Sequence, residues 1–275
     1  MSTGARVASF GALLVAIFAL AVLAGRALDP VTEAADSAEH AAPAHGGGDA
    51  HESAPAGATA GGGLRLVAQS STTLSAGRRA RLTFRIVDEH GATVREFEPE
   101  QSRRMHLIVV RRDLRRFQHL HPTQDAGGAW SIRITLPDAG VYHAFADFQS
   151  GGERHALGVD LFAGGRFEPL ALPPERTTAS ADGYDVTLHA HGGELEFAVR
   201  RDGRPVTDLQ PYLGARGHLV MLRAGDLAYE HVHPVAGRRL AFDTAGARPG
   251  TYRLFLQFRH ADRVHTVAFT RAVAP

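Results

Sequence analysis

The chain contains no cysteine and no lysine, so its 30 basic residues are all arginine. Without cysteine there can be no disulfide, no thiolate nucleophile and no thiolate metal ligand. Methionine occurs only three times, which argues against a dedicated Cu⁺ site. The formal net charge is +1, which gives no reason to expect a nucleic-acid partner. These absences leave histidine, with 16 residues, as the side chain in unusual supply.

Residues 1–26 contain one long apolar segment. Val7 to Gly25 is uncharged and lies between Arg6 and Arg26. Its length is close to the roughly 20 residues that span a bilayer core, which favours an uncleaved transmembrane anchor. A cleaved signal peptide is the alternative, because residues 22–24 offer small side chains at a plausible cleavage position. On either interpretation the chain is exported. With the favoured anchor, we expect a single-pass protein of the cell membrane with extracytoplasmic domains.

Residues 27–63 consist mainly of alanine, glycine, proline, serine and a few acidic residues. Such a composition buries too little apolar surface to offset the entropy of ordering, so a disordered stalk is predicted. His40, His45 and His51 in this stalk could collect metal ions loosely. The alternative is a polar linker that happens to contain histidine.

Two similar β-domains follow the stalk. Short alternating or fully apolar runs, such as 82–87 and 106–110, are separated by turn residues, and no segment keeps a helical period. The landmarks of residues 64–166 return in the same order in residues 184–275, with a proline-containing linker at 167–183. About seven strands in about 100 residues is typical of an immunoglobulin-like sandwich. We therefore predict an all-β protein with two tandem immunoglobulin-like β-sandwiches.

Histidines recur at the same spacing in both domains. Thirteen residues separate the first from the second, two separate the second from the third, and a proline follows. The two sets are His106, His119 and His121, and His218, His231 and His233. A hairpin centred on Asp113 and Leu114 would place His106 opposite His121. A hairpin centred on Gly225 and Asp226 would likewise place His218 opposite His233, with the remaining histidine of each set on the same face.

Opposed side chains on paired strands have Cβ atoms about 4.5–5.5 Å apart, near enough for imidazoles to share one ion. Three neutral imidazoles suit Zn²⁺ or Cu²⁺, so the spacing predicts one copper or zinc site in each domain. Binding should fail below roughly pH 6, where histidine becomes protonated. His155 and His265 are expected on the last strand, opposite Phe148 and Phe258 and one strand away from the three histidines. There they would support the ligands from behind or be merely structural.

The two histidine-bearing segments, residues 105–122 and 212–234, resemble a group of bacterial secreted or membrane-anchored tandem β-sandwich proteins with a His–hairpin–His-x-His-Pro unit. Some members are labelled heavy-metal-associated, and the likeness covers the anchor and both domains. More distantly, the chain is similar to periplasmic copper-resistance-type proteins, although it lacks the methionine-rich loops and N-terminal histidine of some of them. The resemblance implies sandwiches of the cupredoxin or copper-resistance kind and a link to metal.

The sequence therefore favours a membrane-anchored protein that is not an enzyme and that binds Cu²⁺ or Zn²⁺ for capture or buffering. Its expected partners are the membrane, through the N-terminal helix, and the metal ion. The alternative is a structural or interaction module of the cell envelope, in which the histidines merely pack. An enzyme ranks third: three histidines leave an open position on zinc, but neither set has a convincing acidic general base beside it.

Overall fold

The computed structural model describes residues 60–237 and 239–274, apart from the side chains of Ala60 and His231. The predicted anchor and most of the predicted stalk lie outside these residues. Within them, no helix has the length and apolar character needed to cross a membrane. The stalk was expected to extend to Gly63, but Ala60 and Gly61 already pair with the next strand. Gly62 and Gly63 both have positive φ, which lets the chain turn tightly there.

All the regular structure that the model describes is β-strand, in agreement with the predicted all-β fold. Residues 60–164 form ten strands: β1 (Ala60–Gly61), β2 (Leu64–Ala68), β3 (Thr73–Ser75), β4 (Arg79–Val87), β5 (His106–Arg111), β6 (Arg115–Leu120), β7 (Thr123–Gln124), β8 (Trp130–Thr135), β9 (Gly140–Ser150) and β10 (Glu153–Gly164). Residues 178–273 form ten more: β11 (Thr178–Ala181), β12 (Tyr184–His191), β13 (Glu194–Arg201), β14 (Arg204–Pro205), β15 (Gly217–Arg223), β16 (Tyr229–His231), β17 (His233–Pro234), β18 (Ala241–Asp243), β19 (Gly250–His260) and β20 (Arg263–Val273).

Each half folds into two sheets. In domain 1 the strand orders are β1-β2-β4-β8-β7 and β3-β10-β9-β5-β6. In domain 2 they are β11-β12-β13-β18-β17, with β14 beside β13, and β16-β15-β19-β20. The ladders are antiparallel except between β3 and β10. The two domains therefore share the topology of their main strands, with β4, β5, β8 and β9 matching β13, β15, β18 and β19, whereas β3 has no counterpart paired with β20 in the described part of domain 2.

Each domain has its own apolar core between its two sheets. In domain 1 the alternate residues Leu82, Phe84 and Ile86 of β4 face inward and meet Leu107 and Val109 of β5. In domain 2 the inward residues of β13 and β15 form the matching core. The period-2 pattern of the sequence thus decides which face of each sheet is buried.

A third apolar cluster joins the two domains. It contains Ile108, Val110 and Phe145 from domain 1 and Val220 and Leu222 from domain 2, among others. β5 and β15 are therefore covered on both faces, which explains why their sequences run almost entirely apolar instead of alternating.

The contacts across this interface repeat when the two domains are exchanged. Phe117 stacks on Phe255 with ring centroids 4.2 Å apart, and the matching residues, Tyr229 and Phe145, stack at 5.4 Å. His106 and His218, which also match each other, stack at 5.7 Å with an angle of 8° between their planes. The inner faces therefore meet around an approximate twofold axis that passes near the histidines.

Candidate metal centre

The hairpin of β5 and β6 brings the first three histidines together. Its ladder pairs Leu107 with Leu120 and Ile108 with His119, which is the predicted register. β6 ends at Leu120, so His106 and His121 are not a ladder pair, although their rings lie 5.1 Å apart. The same parity places all three histidines on the face of β5 and β6 that is turned toward domain 2.

The three imidazoles converge on one point. Each offers a ring nitrogen that lies within 4.8 Å of the other two. The ring centroid of His119 lies 5.1 Å from that of His106 and 4.8 Å from that of His121. His106 is buried and the other two are half-buried. Of the residues that the model describes, this is the one cluster whose ligand atoms could hold a metal ion in this way.

Two hydrogen-bond acceptors bracket the pair His106 and His119. His106 Nε2 lies 3.1 Å from the carbonyl oxygen of Glu100, and His119 Nδ1 lies 2.7 Å from Oε1 of Gln257 in domain 2. Between them, His106 Nδ1 and His119 Nε2 are 2.9 Å apart. The three contacts need three N–H groups, but two neutral imidazoles carry only two. When the outer acceptors are satisfied, the two inner nitrogens face each other with lone pairs.

Protonation of an imidazole would supply the third N–H, but the site opposes it. Burial, reinforced by the neighbouring His106, lowers the pKa of His119 to about 3. Burial also lowers the pKa of His121 to about 4, with smaller contributions from His106 and Arg103. These rings stay neutral far below the limit of roughly pH 6 that ordinary histidine pKa values suggest. The expected pH limit therefore needs correction for these two residues.

His121 provides a further unsatisfied group. Its Nε2 is buried and has no hydrogen-bond partner among the residues the model describes. A buried polar nitrogen without a partner costs about 1–3 kcal/mol, so something is expected to satisfy it. A metal ion at the centre of the three rings would do so.

In domain 2 the hairpin register is also the predicted one, with Val220 opposite His231 and Met221 opposite Glu230. The predicted pairing of His218 with His233 is wrong, however, because β16 ends at His231 and His233 pairs with Asp243 in the other sheet. His233 is exposed, and its Nε2 accepts a hydrogen bond from Arg154 at 3.0 Å. The side chain of His231 lies outside the described part of the chain, so a second-domain site stays a prediction.

His218 lies against the first-domain cluster rather than apart from it. Its ring centroid is 4.6 Å from that of His119, and its Nδ1 donates to Oε1 of Gln101 at 2.6 Å. One member of the second predicted set, His218, therefore lies at the domain interface beside the first set, which the repeat alone did not reveal.

Sequence reasoning missed the polar residues that surround the cluster. Asp147 lies opposite His106 in the ladder of β5 and β9, and Gln257 lies opposite His218 in the ladder of β15 and β19. Tyr229 donates its hydroxyl hydrogen to Asp147 at 2.7 Å, and burial raises the pKa of Tyr229 far above its usual value. Asp147 and Gln257 each precede a shared phenylalanine, so a polar residue in an otherwise apolar strand was the available signal.

His155 and His265 occupy the predicted positions, opposite Phe148 and Phe258. β9 separates β10 from β5, as expected. His155 stacks on Phe148 at 5.3 Å. His265 packs against Tyr184 and lies 3.0 Å from a carboxylate oxygen of Asp182. These contacts fit a structural role in the sandwiches, and a role in supporting the metal ligands stays a prediction.

A family model matches the chain twice, at residues 59–163 and 179–275, which together exceed half of its length. The chain belongs to the family described as Domain of unknown function (DUF8832). The two DUF8832 segments correspond to the two tandem domains of the fold, so one family unit is one sandwich. A search of curated proteins finds no match to this DUF8832 chain.

Three similar solved structures are remote likenesses. Invasin, a bacterial integrin-binding protein, is 13% identical over 75% of this chain, with a TM-score of 0.22, and the chain spans 39% of its length. A chimeric titin Z1Z2 is 12% identical over 76% of this chain and 95% of its own, with a TM-score of 0.21. A putative membrane anchored protein from Corynebacterium diphtheriae is 9% identical over 78% of this chain and 59% of its own length, with a TM-score of 0.22. Such scores support no argument about DUF8832 function, and the expected likeness to copper-resistance-type proteins stays a prediction.

Proposed function

We propose that the chain is an extracytoplasmic metal-binding protein that holds Cu²⁺ or Zn²⁺ on His106, His119 and His121. Tethered to the membrane by its N-terminal segment, it would capture or buffer the ion at the membrane surface. Neutral imidazole nitrogens are the ligands that both ions accept in proteins.

The observation that carries the proposal is the pair of outer acceptors. Metal-binding histidines commonly donate the second ring N–H to a carbonyl or carboxylate oxygen, which fixes the tautomer and aims the other nitrogen at the ion. Glu100 and Gln257 stand in that relation to His106 and His119. An ion between the inner nitrogens replaces the missing proton and also satisfies Nε2 of His121.

A competing arrangement needs no ion. Reversing the amide of Gln257 would turn its Nε2 toward His119. The contacts Gln257–His119, His119–His106 and His106–Glu100 would then each contain one N–H donor. In the structure that Nε2 instead donates to Oγ1 of Thr266 at 3.2 Å. The two arrangements differ in whether the cluster takes up a metal ion, which a titration measures directly.

The test is calorimetric titration of the purified full chain in neutral detergent, freed of metal and given Cu²⁺ or Zn²⁺ separately near neutral pH. We expect a tightly bound equivalent that disappears when His106, His119 and His121 are replaced by alanine. Replacement of the exposed histidines His189 and His191 is the control and should leave this equivalent in place.

A second equivalent, lost with His218, His231 and His233, would establish a further site in domain 2. Absence of any stoichiometric binding, or the same loss in the control, would contradict the proposal. The chain would then be better described as an interaction module whose histidines pack.

A further inference from the structure

The outward face of the β4 and β8 sheet carries a group of exposed arginines. On β4, Ala80 and Leu82 turn toward the core, so the alternate residues Arg79 and Arg81 point to solvent. On β8, Arg133 is exposed in the same way, and the ladder places it directly opposite Arg81.

These arginines have no acidic partner. Within residues 60–237 and 239–274, none of Arg79, Arg81 and Arg133 forms an ion pair or a side-chain hydrogen bond. Like charges directly opposite each other destabilise a sheet pair, so Arg81 and Arg133 carry an electrostatic cost in the isolated chain. A bound anion would remove that cost.

The same residues line an open groove of about 550 Å³. Its other polar walls are Thr123, Ser131, Thr135 and Gln118, whose amide donates to the carbonyl oxygen of Thr135 at 3.0 Å. Opposed Cβ atoms lie about 4.5–5.5 Å apart, and alternate residues of one strand about 7 Å apart, so three guanidinium groups can reach one polyanion. Planar guanidinium groups match phosphate oxygens in pairs, and hydroxyl groups can add further donors.

Domain 2 shows that the fold does not require arginine here. Glu194 and Asp243 form the ladder pair that matches Arg81 and Arg133, so both charges are reversed at the same register position. Arg239 bridges Glu194 and Glu196 in domain 2, whereas Arg81 and Arg133 have no acidic partner among the described residues. At this register position the unbalanced positive charge is therefore found in domain 1 and not in domain 2.

We propose that this arginine groove of domain 1 is a second ligand site, independent of the metal centre, that binds phosphate groups. The ligand is a soluble anion with several phosphate charges or the phosphate of an anionic lipid headgroup, which offer the groove the same oxygens. If the chain is anchored in a membrane, anionic lipid headgroups lie close to the groove and could supply this phosphate.

The experiment titrates two probes into the metal-free full chain in neutral detergent at low and physiological salt. Inorganic tripolyphosphate represents the soluble anion, and short-chain phosphatidylglycerol, with phosphatidylcholine as its neutral counterpart, represents the headgroup. The test variant combines Arg79→Gln, Arg81→Gln and Arg133→Gln. The matched control combines Arg204→Gln, Arg248→Gln and Arg263→Gln, which removes the same charge from exposed sites in domain 2.

We expect binding to weaken at least about tenfold in the test variant and by less than about twofold in the control. Selective loss of tripolyphosphate binding identifies the soluble anion, and selective loss of phosphatidylglycerol binding identifies the headgroup. No binding of either probe, or equal weakening in both variants, overturns the proposal. Because Arg81 and Arg133 repel each other, the test variant should unfold at the same temperature as the parent or higher, so a loss of binding cannot be ascribed to misfolding. If the triple variant does unfold early, Arg133→Gln alone replaces it.

Discussion

The two domains share topology, hairpin register and apolar faces, yet they differ at matching positions that carry chemistry. Where domain 1 has Asp147, domain 2 has Gln257, and where domain 1 pairs Arg81 with Arg133, domain 2 pairs Glu194 with Asp243. The inward residues decide the fold in both halves. The polar positions differ without changing the fold, because the apolar cores have the same arrangement in both halves.

The histidines show the same contrast. In domain 1 the third histidine, His121, contacts His106 and His119, whereas its counterpart His233 is exposed and bonded to Arg154. Gln257 of domain 2 accepts a hydrogen bond from His119, so the histidine cluster of domain 1 also depends on a residue of domain 2. Equal spacing in the sequence does not produce equal sites.

The sharpest test of this contrast is to remove one histidine from each domain. His119→Ala takes a ligand from the assembled cluster and should weaken Zn²⁺ or Cu²⁺ binding by about a hundredfold or more. His233→Ala should leave the tightest binding step within about twofold, because that side chain is exposed. Competition with a coloured chelator measures both affinities. Equal losses in the two variants would mean that the domains bind metal alike.

A second contrast concerns packing. A methyl group on Gly158 would lie 2.1 Å from Nε2 of the buried His143, whereas the matching pair in domain 2 is Ala268 and Arg253. Gly158→Ala should therefore lower the free energy of unfolding by about 1–3 kcal/mol through overpacking. The reverse change, Ala268→Gly, should cost about 0.5–1 kcal/mol through backbone entropy. Chemical denaturation measures both, and a neutral Gly158→Ala would show that His143 can move aside.

The low pKa of His119 predicts an acid-sensitive fold for the metal-free chain. Well above pH 6.5 the residue is neutral in both states, and as the pH falls the unfolded state binds a proton that the folded state excludes. The free energy of unfolding should drop by about 2 kcal/mol between about pH 7 and pH 5 from this residue, with the loss continuing toward its folded pKa of about 3. His119→Gln should flatten this part of the pH profile. An unchanged profile would show that the ring is not buried as described.

The contribution of domain 2 to the cluster is tested at Gln257. Gln257→Leu removes the acceptor for His119 Nδ1 and should weaken metal binding by about tenfold. Gln257→Glu keeps an acceptor for His119, because both carboxylate oxygens accept hydrogen bonds. This variant should bind the metal ion at least as tightly as the parent. Gln210→Leu removes a glutamine from another part of domain 2 and serves as the control in the same titration. A Gln257→Leu protein with unchanged affinity would exclude the orienting role.

Much of the fold could be predicted because it depends on local patterns. Alternation places Leu82 and Phe84 inward, and the hairpin turns set which residues face each other. The predicted register was correct in domain 2 and, up to a shift between Val109 and Arg111, in domain 1. The ends of the strands were less predictable. His233 joins a different sheet from its hairpin partner because the chain crosses over there, and no local signal marks such a crossover.

The candidate site was predictable in its ligands but not in its surroundings. A repeat compares two segments and says nothing about how they pack, so the contacts of Gln257 with His119 and of Gln101 with His218 could not be foreseen. The pKa values follow from burial between the domains, and a sequence does not show that burial. The lower pH limit for protonation is therefore a result of the tertiary structure.

The exchange symmetry of the inner faces has a consequence for the history of the chain. Contacts that repeat when two halves are swapped are those of a twofold dimer, in which each surface is its own complement. Such a surface lets a single domain associate with an identical copy before any duplication. Joining two copies on one polypeptide then removes the need for identity, because a change in one half is no longer imposed on the other. Fusion therefore allows matching positions of the two halves to diverge, as Arg81 and Glu194 do.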